Sequence, residues 1–525
     1  MPSPYRFRML VTSDLHGQLV PLSTNGPDQE PSGLSVISSI LSKFRTEHTI
    51  TLDLGDTIQG SPMMAFHQQN RKKYPNPAAV LFNHLGIDFF VPGNHDFNYG
   101  RHYLDDFINR LTVTEPLCGN IVDFQNRPAF GKPYAIIADD NGPRIAVIGM
   151  TTHYIPNWER QSHITHLRFL DAFETTIKWV EYVKRIEDPQ LIVVAYHGGF
   201  EKDLETFEPY IADTGENQGS RMLEEIPGID ILITGHQHRS LVKTIRGTLV
   251  IQPEFNGRAV AVIDVLFTKK DVWTVEEKSA VLEKARNYQS DPVCENLIEP
   301  LRSDTEVYLD TPIGKTRSDD LRINDLFLAR QDKHKIVTFI NQVQLKKTKA
   351  QLSCCSLGNQ ATGFPRTIRI RDVLSTYVFP NSLVVLKIDG KNLLAALEKN
   401  AEYFALDESG QIVANPKYSY PKVEHYNYDM FDGIDYVIDV ARPVGHRIVS
   451  CNFQGKPVEE GQYFSLAMNN YRATGGGEFW MYRHLDVIKE VNQDIADLIM
   501  AHIRRHQTID VDDVKNIRVI NSNRD

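Results

Sequence analysis

One pattern recurs five times in the first half of the chain and limits its fold more than any other feature. Each occurrence is an apolar run rich in β-branched residues, followed closely by a side chain that can bind a metal. The runs are residues 6–13, 49–55, 87–93, 189–196 and 229–235. Their length and composition are typical of buried strands, and helix-like stretches such as 34–44 and 170–185 lie between them. Alternating strands and helices predict a layered α/β domain that presents side chains at strand ends.

The polar side chains that follow these runs form one candidate ligand set: Asp14, His16, Asp56, Asn94, His197, His236 and His238. Imidazole and carboxylate groups bind Zn, Mn, Fe or Co, and the lack of cysteine in the set argues against a closed structural zinc site. Seven ligands exceed what one tetrahedral ion uses, and they suit two ions about 3.5–4 Å apart that share a carboxylate. Residues i and i+2 of an extended chain face the same side, so each of the pairs 14/16 and 236/238 is expected to point into one cluster.

Each member of the set also has an ordinary structural explanation. Asp14 could cap a helix, Asp56 could make an Asx turn, and Asn94 follows a glycine as turn residues do. A lone His197 after a strand is more often a buried, hydrogen-bonded histidine, and the segment 235–238 alone is evenly balanced between the two interpretations. Five such coincidences at successive strand ends favour a metal site.

The pattern changes after about residue 265, and 525 residues exceed one ordinary core. Residues 276–308 are polar and helix-compatible and end before Pro312, which predicts a linker helix. Residues 383–388 and 391–404, joined by Asp389-Gly390, predict a strand, a turn and an amphipathic helix, and 474–480 predicts a glycine-rich loop. The predicted domains are therefore 1–275 and 309–525, joined by the linker 276–308.

Charge and cysteine content narrow the partners and the compartment. The net charge is −10 and no basic run stands out, which argues against duplex nucleic acid but not against a small anionic substrate. Five cysteines without a CxxC pair predict a reduced, cytoplasmic protein. The N-terminus lacks the features of a signal peptide, and no stretch is long enough to cross a membrane. The sequence leaves the oligomeric state open.

The ligand set carries a resemblance to a known family. D-x-H at 14–16, G-D at 55–56, G-N-H-D at 93–96, His197 and G-H-Q-H at 235–238 resemble the signature blocks of calcineurin-like metallophosphoesterases. The second half is similar to the C-terminal domain of the 5′-nucleotidase family. This resemblance implies a four-layer sandwich of two mixed β-sheets flanked by helices, followed by a second α/β domain that binds the nucleotide substrate. It also implies two divalent metal ions as cofactors.

The resemblance further implies a role for each site residue. One ion would be held by Asp14, His16, Asp56 and His238, and the other by Asp56, Asn94, His197 and His236. His95 would act on the transition-state phosphate and the leaving group, with Asp96 or Asn98 orienting it and Asn94 also touching substrate. The base would stack between Phe379 and Tyr471. Phe379 viewed alone is as readily a core residue, whereas Tyr471 lies beside the glycines 475–477, which let backbone approach a ligand.

Several segments are similar to the 2′,3′-cyclic-nucleotide 2′-phosphodiesterase/3′-nucleotidase branch of the family: 55–62, 93–100, 377–383, 426–439 and 469–479. The 5′-nucleotidase branch usually has Asp where this chain has Asn98, and its Gly-Gly-x-Arg segment is replaced here by residues 356–366. The predicted function is hydrolysis of cyclic and 3′-nucleotides. The alternatives are a 5′-nucleotidase, a hydrolase of UDP-sugars or other nucleotide diphosphates, and a nucleotide sensor without turnover.

Overall fold

The chain folds into two compact units, Met1–Glu306 and Val307–Asp525. This computed structural model describes residues 4–21, 31–209, 214–317, 321–379, 381–420 and 422–524. The division between the units falls inside helix α8 (Glu299–Leu309).

The strands of the first unit form two six-stranded sheets and a short two-stranded one within the described residues. The strands are β1 (Tyr5–Thr12), β2 (Thr49–Asp53), β3 (Phe89–Phe90), β4 (Glu115–Pro116), β5 (Ile121–Val122), β6 (Tyr134–Ile137), β7 (Ile145–Thr151), β8 (Arg168–Phe169), β9 (Leu191–His197), β10 (Ile231–Thr234), β11 (Ser240–Ile245), β12 (Thr248–Pro253), β13 (Ala259–Lys269) and β14 (Trp273–Lys284). The first sheet has the order β14-β13-β1-β2-β3-β4 and the second β11-β12-β10-β9-β7-β6. Both are mixed. In the first sheet β1 to β4 are parallel and the antiparallel pairs lie at the β13/β14 edge, whereas in the second sheet β7, β9, β10 and β12 are parallel and both edge strands are antiparallel.

The burial pattern of the central strands shows that both faces of each sheet are covered. On β1, Phe7, Met9 and Val11 pack into a core shared with alternate residues of β9, such as Val193. Leu10 faces the other way, into a core formed with helices. Because successive strand residues point to opposite faces, the shared core lies between the sheets and the other cores lie between sheet and helices. The predicted four-layer sandwich is confirmed.

The helices of the first unit are α1 (Leu34–Phe44), α2 (Pro62–Asn70), α3 (Pro77–Leu85), α4 (Arg101–Asn109), α5 (Ala172–Ile186), α6 (Gly219–Glu225), α7 (Pro292–Leu297) and α8. Local signals explain several boundaries. At the start of α3, the Asn76 side chain accepts hydrogen bonds from the backbone N–H groups of Ala78 and Ala79, and the helix ends at Gly86, whose φ is 60°. Asp171 caps α5 by accepting from the N–H of Glu174. Both helix-like stretches named from the sequence are therefore helices.

The predicted linker helix over 276–308 is wrong in its first part. Residues 273–284 form β14, the edge strand that pairs antiparallel with β13 along its length. Val275, Ala280 and Leu282 turn toward the shared core, while Thr274, Ser279 and Val281 are exposed. This alternation, shifted by the bulge opposite Leu266/Phe267, has a strand period that the high charge of the stretch obscured. Helices α7 and α8 occupy the remainder.

The second unit has a hydrophobic core of its own, running from Leu309 to Ile517. Its strands are β15 (Pro312–Thr316), β16 (Leu352–Ser356), β17 (Thr367–Arg369), β18 (Ser382–Asp389), β19 (Phe404–Leu406), β20 (Ile412–Ala414), β21 (Asp429–Asp432), β22 (Asp435–Asp439), β23 (Ile448–Phe453), β24 (Lys456–Pro457), β25 (Tyr463–Asn469), β26 (Val487–Asp494), β27 (Thr508–Ile509) and β28 (Ile517–Ile520). Its helices are α9 (Leu326–Gln331), α10 (Lys335–Thr348), α11 (Ile370–Thr376), α12 (Gly390–Ala401), α13 (Asn470–Ala473) and α14 (Ile495–His506). The largest sheet has the order β21-β16-β25-β18-β26. As predicted, Asp389 joins strand β18 to helix α12, which it caps through the N–H of Asn392.

The five cysteines are all buried and unpaired. Among the described helices, none has both the length and the apolar character needed to cross a membrane. Cytoplasmic localisation stays a prediction.

Candidate metal centre

The predicted ligands lie at the carboxyl ends of neighbouring parallel strands. Asp14 and His16 follow β1, Asp56 follows β2, and Asn94 follows β3. In the second sheet, His197 ends β9, and His236 and His238 follow β10. Parallel strands bring such ends to one edge of their sheet, where open α/β folds bind ligands.

Five of the seven predicted ligands have left-handed backbone conformations. The φ angles are 53° at Asp14, 47° at His16, 55° at Asp56, 65° at His236 and 59° at His238. The expectation that 14/16 and 236/238 converge because they lie in extended chain is therefore wrong in its reason. The chain leaves each strand and turns through left-handed residues that bring alternate side chains to the same site. Such residues cost on the order of 1 kcal/mol each and concentrate at functional sites.

The first cluster consists of Asp14, His16 and His238, whose potential ligand atoms lie within 4.8 Å of one another. The Nε2 atoms of the two histidines are 3.0 Å apart. Asp14 Oδ1 lies 3.4 Å from His238 Nε2 and 4.0 Å from His16 Nε2. Three potential donor atoms thus converge on one point.

The second cluster consists of Asp56, His197 and His236, again within 4.8 Å. Asn94 belongs to it as well, because its Oδ1 lies 2.8 Å from His236 Nδ1 and 3.3 Å from His197 Nε2. The histidines of segment 235–238 therefore fall into different clusters. This is the division implied by the resemblance, although the assignment of ions to residues stays a prediction.

The hydrogen bonds of the second cluster fit a cation. His197 Nδ1 donates to the carbonyl of Leu54, so the neutral ring directs the lone pair of Nε2 toward Asp56 Oδ2, 3.2 Å away. Asp56 Oδ2 is buried and accepts no hydrogen bond from the described residues. A lone pair facing a carboxylate oxygen requires a positive charge near both atoms. A proton or a metal ion supplies it, and a divalent ion also suits the imidazole, amide and carboxylate donors around it.

The electrostatic environment favours a neutral His16 and an ionised Asp56. Burial and the neighbouring His238 lower the pKa of His16 to about 3, so its ring keeps a free lone pair. Burial opposes ionisation of Asp56, but His197 and His95 hold the pKa of its carboxyl well below the usual range. Burial likewise lowers the pKa of His197, yet Asp56 outweighs it and raises that pKa to about 10. The cluster therefore attracts positive charge strongly.

Several groups that position the ligands have no signature in the sequence. His16 Nδ1 contacts the carbonyl of Gln59 at 3.3 Å, and His236 Nε2 lies 2.8 Å from Glu216 Oε1. Trp158 stacks on His236 with ring centroids 5.6 Å apart, and Phe255 stacks on His238 at 4.6 Å. These partners sit in loops and do not follow the strand-end pattern, so they emerge only from the folded chain. They fix the ring orientations, as outer partners of metal ligands do.

Asp96 has a different role from the one considered for it. Its Oδ2 accepts from the N–H groups of Asp56 and Gly93, and its Oδ1 from those of Thr57 and Ile58. Asp96 therefore ties the loop after β2 to the loop after β3. Gly93 permits this close approach, because a Cβ there would collide with the backbone of Asp56.

His95 and Asn98 are in direct contact. His95 Nδ1 lies 2.7 Å from Asn98 Oδ1, and the backbone N–H of His95 donates to Asp56 Oδ1 at 2.6 Å. The His95 ring is 5.2 Å from that of His16, which places it beside the first cluster. Asn98 is thus placed where the predicted orienting group would lie, and its role stays a prediction.

The predicted base-stacking residues lie in the second unit. Phe379 is 37% exposed and packs edge-on against Tyr426 at 5.5 Å. Tyr471 is half-buried, and a Cβ on Gly476 would come within 2.6 Å of its ring. The glycine-rich loop therefore makes room for Tyr471 itself. Beneath it, the buried Arg472 donates to Asp429 at 2.7 Å and to the carbonyl of Tyr426 at 3.1 Å, which links the two aromatic positions.

Comparison with known proteins agrees with this architecture. Residues 7–240 match the calcineurin-like phosphoesterase profile, and residues 312–484 match the C-terminal domain of 5′-nucleotidases. A Staphylococcus aureus protein described as a 5′-nucleotidase, solved in complex with alpha-ketoglutarate, is 33% identical over 98% of this chain and 100% of its own, with a TM-score of 0.89. The chain belongs to the 5′-nucleotidase family.

This family membership makes the chain a metallophosphoesterase with a divalent metal centre and a nucleotide phosphoester substrate. Similar relatives in the 5′-nucleotidase family include the 2′,3′-cyclic-nucleotide 2′-phosphodiesterase/3′-nucleotidase of Haemophilus influenzae, 26% identical over 98% of this chain and 87% of that protein. The Salmonella typhimurium protein of the same name is 26% identical over 89% of this chain and 81% of its own.

Proposed function

We propose that this protein hydrolyses 2′,3′-cyclic nucleotides and 3′-nucleotides with two divalent ions, chosen from Zn, Mn, Fe and Co. The observation that carries the proposal is the pair of ligand clusters, with Asp56 between them. Asp56 belongs to the second cluster, and its carboxylate also interacts electrostatically with His16 of the first. One ion would be held by Asp14, His16, Asp56 and His238, and the other by Asp56, Asn94, His197 and His236.

Hydrolysis in this site needs no protein nucleophile. Divalent ions in such a site supply an activated water and stabilise charge on the phosphoryl oxygens. The protein positions the reacting groups, which is the larger part of phosphoryl-transfer catalysis. His95 donates a proton from Nε2 to the departing oxygen, since its Nδ1 is in contact with Asn98.

The preference for cyclic and 3′-nucleotides has two supports. Relatives that carry this activity in their names align with nearly the whole chain. In addition, Asn98 and the 356–366 segment both depart from the 5′-nucleotidase pattern. The second candidate is a 5′-nucleotidase, favoured by the 33% identity to the Staphylococcus aureus protein.

We assign nucleotide binding to the second unit, with the base between Phe379 and Tyr471. An exposed ring at 379 and a half-buried ring at 471, for which Gly476 leaves room, suit stacking, which every base permits through its π-face. The single nucleotide, rather than duplex nucleic acid, is the proposed partner.

The decisive assay uses metal-reconstituted protein with 2′,3′-cAMP, 3′-AMP, 5′-AMP and a UDP-sugar, each followed by phosphate or product release. Turnover of the first two above the others is expected. Turnover of 5′-AMP alone would replace the proposal with the second candidate, and cleavage of the UDP-sugar alone would identify a nucleotide diphosphate hydrolase. Nucleotide binding without any release would identify a sensor. Metal analysis of the same sample should give about two ions per chain.

A further inference from the structure

A series of hydrogen bonds extends from His95 to the carboxylate of Glu159, which belongs to neither ligand cluster. His95 Nδ1 lies 2.7 Å from Asn98 Oδ1, and Asn98 Nδ2 donates to Glu159 Oε2 at 2.6 Å. Glu159 lies sixty-one residues after Asn98. Its side chain is 7% exposed. An acidic group buried this far normally has partners on both oxygens, and Glu159 has them.

The other oxygen of Glu159 is held by its own segment. Glu159 Oε1 accepts from the N–H of Arg160 at 2.8 Å and from His163 Nδ1 at 2.8 Å. The residue before it, Trp158, stacks on His236. Adjacent residues of this loop therefore contact a predicted metal ligand and the group that orients His95.

The Glu159 carboxylate sets the direction of each hydrogen bond between Glu159, Asn98 and His95. An ionised carboxylate only accepts hydrogen bonds, so the amide nitrogen of Asn98 must face Glu159. The amide oxygen of Asn98 then faces His95 and accepts the proton on Nδ1. With Nδ1–H fixed in this way, Nε2 is the ring nitrogen that remains for the substrate.

We infer that Glu159 is a positioning residue for His95 and acts through Asn98. The inference deepens the proposed function, because it needs His95 to serve the leaving oxygen. As the P–O bond to that oxygen breaks, the bonding electron pair stays on the oxygen and His95 gives it the Nε2 proton. The attacking water releases a proton to solvent, from which His95 regains one. Throughout, Asn98 Oδ1 holds Nδ1–H and keeps the ring in line.

Exchanging the amide and the carboxylate between the two positions tests this polarity. In Glu159→Gln the direction is no longer fixed, since both amides can rotate. In Asn98→Asp two carboxylates face each other across the present 2.6 Å contact. The double variant Asn98→Asp/Glu159→Gln restores one order: Asp accepts from His95, and Gln donates to Asp while its oxygen still accepts from His163. We expect each single variant to lower kcat about 10-fold to 100-fold, and the double variant to recover to within about 3-fold of wild type.

The leaving group provides a second readout. With 3′-AMP the departing ribose oxygen is strongly basic and needs the proton of His95. With bis-p-nitrophenyl phosphate the departing nitrophenolate needs none, so each single variant should lose less than about 3-fold on this substrate. KM for 3′-AMP should change by less than about 3-fold, since Glu159 does not touch the substrate. A near-normal rate on the nitrophenyl ester also shows that the variant is folded and loaded with metal.

Glu187→Gln is the matched control. Glu187 is a hydrogen-bonded carboxylate of the same unit that accepts from Tyr134 and Arg144, away from the metal centre. It should leave both substrates unaffected. If the losses of the two single variants multiply in the double variant, or if both substrates lose rate equally, Glu159 has only a structural role and the inference is overturned.

The outcome stays separate from that of the proposed function. Should wild-type protein prefer 5′-AMP, the proposed substrate fails, and the exchange experiment is run with 5′-AMP, whose leaving oxygen is equally basic. Rescue there still supports the role of Glu159, and its absence still overturns it.

Discussion

The metal centre of the first unit and the aromatic positions of the second differ in how tightly the chain holds them. At the candidate metal centre, five predicted ligands have left-handed backbone, and the imidazoles are held by contacts with carbonyls, Glu216 and stacked rings. In the second unit, Phe379 is 37% exposed and meets the edge of one ring, Tyr426. Phosphoryl transfer depends on sub-ångström placement of charge, whereas stacking on a base tolerates slippage. The two regions should therefore respond differently to substitution.

The largest effect is expected at the centre of the first region. Asp56→Asn removes the charge that both clusters use, and it should lower kcat at least about 10³-fold on every nucleotide substrate. Steady-state rates and metal content per chain check this. Asp264→Asn, which only weakens an ion pair with Arg8 across the neighbouring strands β13 and β1, is the control and should keep its full rate. An Asp56→Asn enzyme with normal turnover would refute the shared role of this carboxylate.

The second unit has one rigid element beneath its aromatic positions, the buried pair of Arg472 and Asp429. Arg472→Met leaves Asp429 as an unpaired buried charge and should destabilise this unit by about 3–5 kcal/mol. Urea unfolding measures the change. Arg442→Met removes a 55% exposed arginine from Asp439, which still accepts hydrogen bonds from the backbone N–H groups of Ala441 and Ser522, and should cost less than about 1 kcal/mol. Equal losses of unfolding free energy in the two variants would show that the core of this unit tolerates substitution as well as its surface does.

Metal removal should separate the two regions thermally. Dialysis against a chelator should abolish turnover and lower the unfolding temperature of the first unit. An ion present at 100 times its Kd contributes about 2.7 kcal/mol to folding stability. Differential scanning calorimetry before and after adding Mn²⁺ or Zn²⁺ measures the shift. An unfolding profile insensitive to both ions would argue against a bound metal.

The smallest effects are expected at the rings. Tyr471→Ala should raise KM for nucleotides by about 5-fold to 150-fold, which corresponds to 1–3 kcal/mol of lost stacking. KM for bis-p-nitrophenyl phosphate, which carries no base, should stay unchanged, and the exposed Tyr463→Ala serves as control. Phe379→Ala should have the weaker effect of the two, because its ring is less confined. Equal increases in KM for both substrates would show that Tyr471 has a structural role and does not stack on the base.

The contrast also separates what the sequence predicts from what it does not. The residues of the two clusters are recognisable in the sequence because buried parallel strands have a composition of their own, and each one leads to a polar residue. Helix α1 was predicted at its observed bounds for a similar reason: its apolar period is regular. By contrast, Glu159, Glu216, Trp158 and Phe255 act through tertiary contacts between loops, and no local pattern marks such residues. Strand β14 was missed because its exposed face carries charges that suit a helix equally well.

The clamps on the imidazoles bear on how the enzyme acquires its metals. The carbonyls of Leu54 and Gln59 and the carboxylate of Glu216 orient the rings through protein contacts alone. An incoming ion therefore meets side chains that are already oriented, and its binding changes their orientation little. A rigid site of this kind favours ions whose preferred geometry and ligand types match it. Correct metallation therefore depends on the geometry that the protein sets in advance as well as on the ions that are available.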